Sequence, residues 1–212
     1  MNVLVVDYGL GNLASVRRAF DECGVNVWIS DHPDETKLKK ATHIVLPGVG
    51  SFTDGMRELD ARGWSQALSY AVLEERKPLL GICLGMQLLA DVGEEGGVSA
   101  GLKLIPGRVV RLKPVQESER IPHVGWNEVR LYRAHALFDD IRDCSDFYFV
   151  HSYHFLTYQD VDAVAYTPYC GGFVSAVQRG YVCGVQFHPE KSSRNGLQLL
   201  RNFLSFGMSH SA

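Results

Sequence analysis

Residues 79–90 read LLGICLGMQLLA. An apolar run closes on Cys83, and the residues behind it take up helical spacing, with Met86, Leu88 and Leu89 set to pack inward. Gly81 and Gly85 flank the cysteine, so the chain can bend sharply there without side-chain conflict. Gly-x-Cys-x-Gly at a strand-to-helix junction has the form of a nucleophile elbow, which holds its thiol at the carboxyl edge of a parallel sheet. The expected helix behind Cys83 adds its dipole in favour of a thiolate. The Leu84 N–H is then aimed where an oxyanion would form. A buried structural cysteine is the competing reading, and it leaves both glycines unexplained.

The stretches before the elbow agree with a parallel sheet. NVLVVD (2–7), VNVWIS (25–30), THIVLPG (42–48) and PLLGI (78–82) are short apolar runs. Between them lie helical segments: LASVRRAFDEC (13–23), ended by Gly24, a polar stretch near 33–40, and 64–75. Continuous apolar strands alternating with helices predict a doubly wound α/β sheet. The second half changes to strand-like segments punctuated by Gly, Pro and Asp: KLIPGRVVRL, HVGWNEVRL, DFYFVHSYHF, DAVAYTPY, GFVSAVQRG and YVCGVQFHP. These predict a mixed or antiparallel β extension before a last helix, RNGLQLLRNFLSF (194–206). No repeat, low-complexity segment or linker interrupts the chain, so residues 1–212 are expected to form a single domain.

Composition limits the function classes. The 212 residues are 46% hydrophobic with a formal net charge of -3, ample for one core. Lys and Arg are scattered, so no nucleic-acid surface is expected. No run approaches the roughly 18 apolar residues of a membrane span, and MNVLVVDYG reads as a first strand rather than a signal. Five cysteines, without CxxC pairs, fit neither a disulfide framework nor a Cys-rich zinc site, and point to a reducing cytoplasm. Cys183 in YVCGVQF reads as a buried strand residue, and Cys23, Cys144 and Cys170 carry no signal for chemistry. No metal or cofactor is expected.

VVDYGLGNLAS holds Gly9, Gly11 and Ala14 at G-x-G-x-x-A spacing, with Asp31 roughly 20 residues on, as in a dinucleotide fingerprint. No substrate domain follows and the later motifs would be left without a role, so a plain strand-to-helix loop is the better reading.

A cysteine nucleophile needs a histidine to take its proton and return it to a leaving group. His32 and His210 read as exposed, His43 opens a strand and His135 lies in a polar connection, which leaves His123, His151, His154 and His188. His188, in GVQFHPEKS at the end of an apolar strand, is the strongest candidate. Pro189 favours an extended His188, and Glu190, two residues on, is placed to fix the imidazole tautomer. LPGVGSF (46–52) leaves the third strand at the same sheet edge, so the amide of Val49 or Gly50 can face Leu84 N–H across the thiol.

GICLGMQ and VQFHPE resemble the nucleophile and His/Glu motifs of class I, triad-type glutamine amidotransferases. DYGLGNLASVRRAF, LPGVGSFTDGM, IPHVGWNEV, FYFVHSYHF and GVQFHPEKSSRNGLQLLRNF, running from residue 7 to 203, resemble the glutaminase subunits of imidazole glycerol phosphate synthase. The resemblance implies a triad of Cys83, His188 and Glu190 that hydrolyses L-glutamine through a glutamyl-thioester. It implies glutamine contacts from Gly50, Gln87, Glu95, Ser152 and Tyr153. It also implies a separate (β/α)8-barrel cyclase as partner, docked near Leu10, Asn12, Trp126, Tyr148 and Lys191, and low activity until that partner binds its own substrate. An oxyanion N–H misoriented at rest would account for such gating. SFTDGM departs from the family's AFGDAM-like run, so Ser51 and Thr53 add hydroxyls beside the oxyanion loop. Two other functions fit the triad: a glutaminase feeding a different synthase, which leaves PHVGWN unexplained, and an inactive docking subunit.

Overall fold

A computed structural model describes residues 1–207; His210 lies outside them. The first half runs β1 (Asn2–Val6), α1 (Leu13–Glu22), β2 (Asn26–Ser30), α2 (Glu35–Lys40), β3 (His43–Gly48), α3 (Phe52–Ala61), α4 (Trp64–Leu73), β4 (Leu79–Cys83) and α5 (Leu84–Gln87). The second half runs β5 (Val92–Gly93), β6 (Ser99–Ala100), β7 (Gly107–Arg111), β8 (His123–Leu131), β9 (Ser145–His151), β10 (Tyr153–Thr157), β11 (Ala163–Thr167), β12 (Phe173–Arg179), β13 (Val182–Val185) and α6 (Ser193–Ser205).

The parallel block has the order β2-β1-β3-β4-β13. β12 continues it antiparallel, followed by β10 and β7, while β11, β8 and β9 branch from β12 as an antiparallel extension. β3, β4 and β13 are buried along their whole length, which is why they read as unbroken apolar runs. Side-chain alternation divides the core in two. Val3, Val5, Val45, Leu80 and Ile82 face Val16, Phe20, Leu199 and Phe203 of α1 and α6. Leu4, Val6, Ile44 and Leu46 face Phe52, Leu59, Trp64 and Leu68 of α3 and α4. The result is one α/β domain of three layers.

Two local expectations need correction. Residues after Ser51, expected only as the end of a glycine loop, form α3. Ser51 Oγ accepts from Asp54 N–H at 3.2 Å and donates to the Asp54 carboxylate at 2.6 Å. The signal was present as Ser-x-x-Asp, a capping pattern. The helix behind Cys83 is a single turn, because Leu88 N–H and the bonds after it close back on 84–87 and the chain then leaves for β5. So short a helix adds little dipole at the thiol.

Candidate active site

The carboxyl ends of β3, β4 and β13 meet at one edge of the sheet, where open α/β folds carry their sites. At the end of β4, Cys83 has φ 54 and ψ -110, a backbone conformation seldom adopted by a residue with a side chain. The flanking glycines make it possible. A Cβ on Gly81 would lie 2.7 Å from Gly85 O, and one on Gly85 would fall on the Leu46 carbonyl oxygen, far inside contact distance. The bend is held down onto β3 by backbone that only glycine can approach.

Cys83 is 6% exposed. Its Sγ lies 3.8 Å from the Val150 carbonyl oxygen and receives the Gln186 amide N–H at 3.7 Å. Gln186 is fully buried at the end of β13 and was not singled out from the sequence. Its place in VQFHPE, two residues before His188, was the available signal, since alternate residues share a face.

His188 has an extended backbone, and its N–H donates to Tyr148 O at 2.9 Å. Its Nδ1 donates to Glu190 Oε1 at 2.8 Å, with both side chains 2% exposed. The geometry of that contact differs from the expected extended chain. Pro189 begins a 3-10 turn over Pro189–Lys191, and Glu190 reaches back to the imidazole from within it. Proline's fixed φ and missing N–H suit the first position of such a turn. Burial works against charge on His188, but Cys83 and Glu190 act the other way and prevail, so the imidazole holds its proton above the usual range. His188 Nε2 makes no hydrogen bond of ordinary geometry, although Cys83 is one of the groups that raise the imidazole.

Cys83, Leu84, Val49, Gly50, Gln87, Glu95, Ser152 and Tyr153, all proposed from the sequence, line one cavity of about 380 Å³. Pro122, Val150 and His151 complete its walls and were not assigned to it beforehand. The volume is in the range of small-molecule sites. A wider groove of about 850 Å³ runs between α2 and α4, and no cysteine or histidine lines it. Glu95 is half-buried; one oxygen accepts from Phe52 N–H at 2.9 Å, and burial raises its pKa. A bound ammonium would relieve that cost. The two added hydroxyls serve this wall: Ser51 caps α3, and Thr53 Oγ1 donates to Glu95 O at 2.8 Å.

Two expected donors are otherwise engaged. Val49 N–H donates to Leu10 O at 3.2 Å, so it does not face Leu84 N–H across the thiol. Gly50 follows with φ 110, a conformation that suits glycine. Gln87 is buried, and its amide nitrogen donates to Tyr153 O at 2.9 Å and to Gln186 Oε1 at 3.0 Å. Its NH2 therefore braces the pocket wall rather than pointing at a ligand.

The other histidines separate cleanly. His43 bonds Thr42 Oγ1 and the Phe206 carbonyl, and His32 is exposed beside Asp31. His154 packs edge-on to Phe173, and burial lowers it to about 4. His151 lines the cavity, yet its Nδ1 is bonded to Tyr153 O and its Nε2 to His123, so neither nitrogen is free to serve Cys83. Among the described residues, no group of three or more His, Cys, Asp or Glu side chains is placed to hold a metal ion.

On the flank of the same edge, Trp126 is 53% exposed. Its ring meets Tyr148 in a T-shaped contact at 6.1 Å, and Lys191 Nζ stands 5.8 Å from the Tyr148 centroid. Leu10 and Asn12 lie in the loop from β1 to α1, where the Asn12 side chain caps the helix by accepting from Ser15 N–H at 3.3 Å. No helix among the described residues is long and apolar enough to cross a membrane.

Residues 4–205 match the family described as Glutamine amidotransferase class-I. A protein of Moorella thermoacetica named imidazole glycerol phosphate synthase subunit HisH is 47% identical over 201 residues, covering 95% of this chain and 93% of its own. The proteins of the same name from Agrobacterium fabrum and Chlorobaculum tepidum are 44% and 40% identical, over 96% of this chain and 98% and 100% of theirs. In fold, the chain resembles PurLQS of Thermotoga maritima, with TM-score 0.74 at 18% identity over 97% of this chain and 98% of that one. A glutamine amidotransferase of the same organism aligns with TM-score 0.69 at 20% identity, over 97% and 96%. An elbow cysteine beside a buried His–Glu pair, on a sheet of this topology and with this match along nearly its whole length, makes the chain a member of the class-I glutamine amidotransferase family.

Proposed function

We propose that this chain, residues 1–212 as one domain, is the glutaminase subunit of an imidazole glycerol phosphate synthase, working in the cytoplasm. The observation that carries the reading is Cys83 at a strained elbow, coupled to the buried His188–Glu190 pair and opening on a cavity with a half-buried carboxylate. Cys83 Sγ attacks the side-chain amide carbon of L-glutamine, and its proton passes to His188. Leu84 N–H receives the developing oxyanion, with Gly50, or Val49 once released from Leu10 O, as second donor. His188 returns the proton to the departing nitrogen, and ammonia leaves a glutamyl-thioester on Cys83. Water, deprotonated by His188, then cleaves the thioester to glutamate. Glu190 holds the imidazole and stabilises its cation; Glu95 takes the substrate's ammonium, and the Gly50, Gln87 and Ser152–Tyr153 walls enclose the rest.

In this reading the partner is a (β/α)8-barrel cyclase seated on Leu10, Asn12, Trp126, Tyr148 and Lys191. It receives the ammonia and makes imidazole glycerol phosphate and an aminoimidazole carboxamide ribotide. The bond from Val49 N–H to Leu10 O supports a gated site, since one oxyanion donor is withheld at rest. Five unpaired cysteines suit a reducing compartment. The test is glutamate release from glutamine by the chain alone, with a barrel cyclase, and with the cyclase and its nucleotide ligand, using Cys83→Ala as control. Stimulation by the loaded cyclase that vanishes in the variant is expected. Cyclase binding without hydrolysis in any mixture would make this a docking subunit instead.

A further inference from the structure

The proton transfers above leave two buried histidines unused. His123 on β8 and His151 at the end of β9 are register partners across the strand pair, with His123 Nδ1 3.1 Å from His151 Nε2. They are 4% and 6% exposed. His123 stacks on Tyr169 at 4.1 Å between centroids, and Phe173 stands edge-on to His151 at 4.8 Å.

The direction of every bond follows from the acceptor at the end. The Tyr153 carbonyl, 2.8 Å from His151 Nδ1, can only accept, so Nδ1 carries the proton. Nε2 of that neutral ring then accepts from His123 Nδ1–H. His123 Nε2 is left as an acceptor, and Asn127 Nδ2 donates to it at 3.2 Å. Asn127 Oδ1 accepts from Glu128 N–H at 2.9 Å, which fixes the amide the right way round. A cationic ring has no acceptor nitrogen and would break the series. Burial opposes that cation, lowering His123 to about 4 and His151 to about 3.

Tyr153 O is also the acceptor for Gln87, which holds Gln186, whose amide in turn reaches Cys83 Sγ. The series thus begins at Asn127, beside the exposed Trp126, and ends in the wall of the cavity. We infer that His123 and His151 are positioning residues, each held in one tautomer, that fix the Ser152–Tyr153 wall for glutamine binding. The inference rests on the glutaminase reading and deepens it.

With the loaded cyclase present, saturable alkylation of Cys83 by 6-diazo-5-oxo-L-norleucine, a glutamine-shaped diazoketone, separates binding (KI) from chemistry (kinact). His123→Phe keeps the stacked ring and removes the donor to His151. It should raise KI roughly tenfold while kinact stays within about twofold. His123→Asn, which can present an amide N–H near the former Nδ1, should bring KI most of the way back. An unchanged KI in His123→Phe overturns the inference. Should that variant not fold, the full wild-type chain still decides. Long-range nitrogen–proton NMR correlations at neutral pH should show both rings neutral and protonated on Nδ1, and either ring protonated on Nε2 or cationic overturns it. A wild-type chain that resists the reagent even with the loaded cyclase present would instead sink the glutaminase reading, with the tautomer spectra left to judge the hydrogen-bonded series.

Discussion

Replacing Glu190 by glutamine keeps the length of the side chain and removes its charge. The affected bond, His188 Nδ1 to Glu190 Oε1 at 2.8 Å, lies between side chains that are each 2% exposed, so water cannot screen or replace it. A charge-assisted hydrogen bond of this kind contributes about 1.5–3 kcal/mol against about 1 kcal/mol for a neutral one. The glutamine carbonyl can still accept from Nδ1–H, so the tautomer survives and the difference, about 0.5–2 kcal/mol, is what is lost. At about 1.4 kcal/mol per tenfold in rate, kcat/KM for glutamine should fall roughly 2–30-fold. Glu190→Ala, which also leaves a buried N–H unpaired, should fall further, to roughly 100-fold or more. The pH dependence gives an independent sign. Glu190 is one of the groups that raise His188, so without its charge the imidazolium gives up its proton at lower pH. The acylation step needs that proton for the departing nitrogen, so the alkaline limb of the rate profile should move downward in Glu190→Gln. The assay is glutamate release across pH with the loaded partner present. A variant with wild-type kcat/KM and its alkaline limb unmoved would show that the pair only packs the turn after β13 and would refute the assigned role.

Three further expectations can be checked separately. Gly85→Ala puts a Cβ onto the Leu46 carbonyl, a backbone atom that cannot swing aside. It should cost about 1–3 kcal/mol and lower Tm by roughly 2–10 °C. An unaltered thermal midpoint would mean that the elbow does not sit where described. Glu95→Gln should raise KM for glutamine by roughly 10–100-fold with kcat nearly retained, as expected for losing a charge-assisted contact to the substrate ammonium; a normal KM would remove Glu95 from the site. Burial raises Glu95, and only its ionised form attracts the ammonium. Glutamine binding should therefore weaken as pH falls, beginning above the usual carboxylate range, and the acid limb should vanish in Glu95→Gln. Finally, the diazoketone should label one thiol, Cys83, and spare the exposed Cys144, readable by peptide mass spectrometry. Preferential labelling of Cys144 would show that exposure rather than the His188 pairing governs reactivity.

What could be read from the sequence, and what could not, divides by the range of the interactions involved. The parallel strands were legible because burial on both faces demands continuous apolar runs, and β3, β4 and β13 are buried end to end. The candidate nucleophile and base were legible because their chemistry is local: the glycines of the elbow lie within two residues of Cys83, and Glu190 lies two residues from His188. Even so, the route to the His–Glu contact was misjudged. Strand periodicity was extended past a proline that instead opens a 3-10 turn. The Ser51–Asp54 cap was written in the chain but masked by the glycines before it.

The features that set the hydrogen bonding around the site are of another kind. The carbonyl that holds Val49 N–H belongs to Leu10, in the loop after β1, and no spacing rule connects the two positions. β1 and β3 must first pair side by side, which brings their carboxyl ends, and hence these two loops, together. The same holds for His123 and His151, which meet only because β8 and β9 pair in that register. A single-residue slip would turn every side chain of the strand to the other face and separate the rings. Local motifs therefore identify the groups able to do chemistry, while strand register decides which of them are free to act. Of two glycine-rich loops at the same sheet edge, the one after β4 presents its thiol to the cavity, and the one after β3 has its first amide tied to a neighbour. In the proposed reading, an activator acting at this edge would work by breaking that one backbone bond near Leu10, with the elbow and the His188–Glu190 pair already in place.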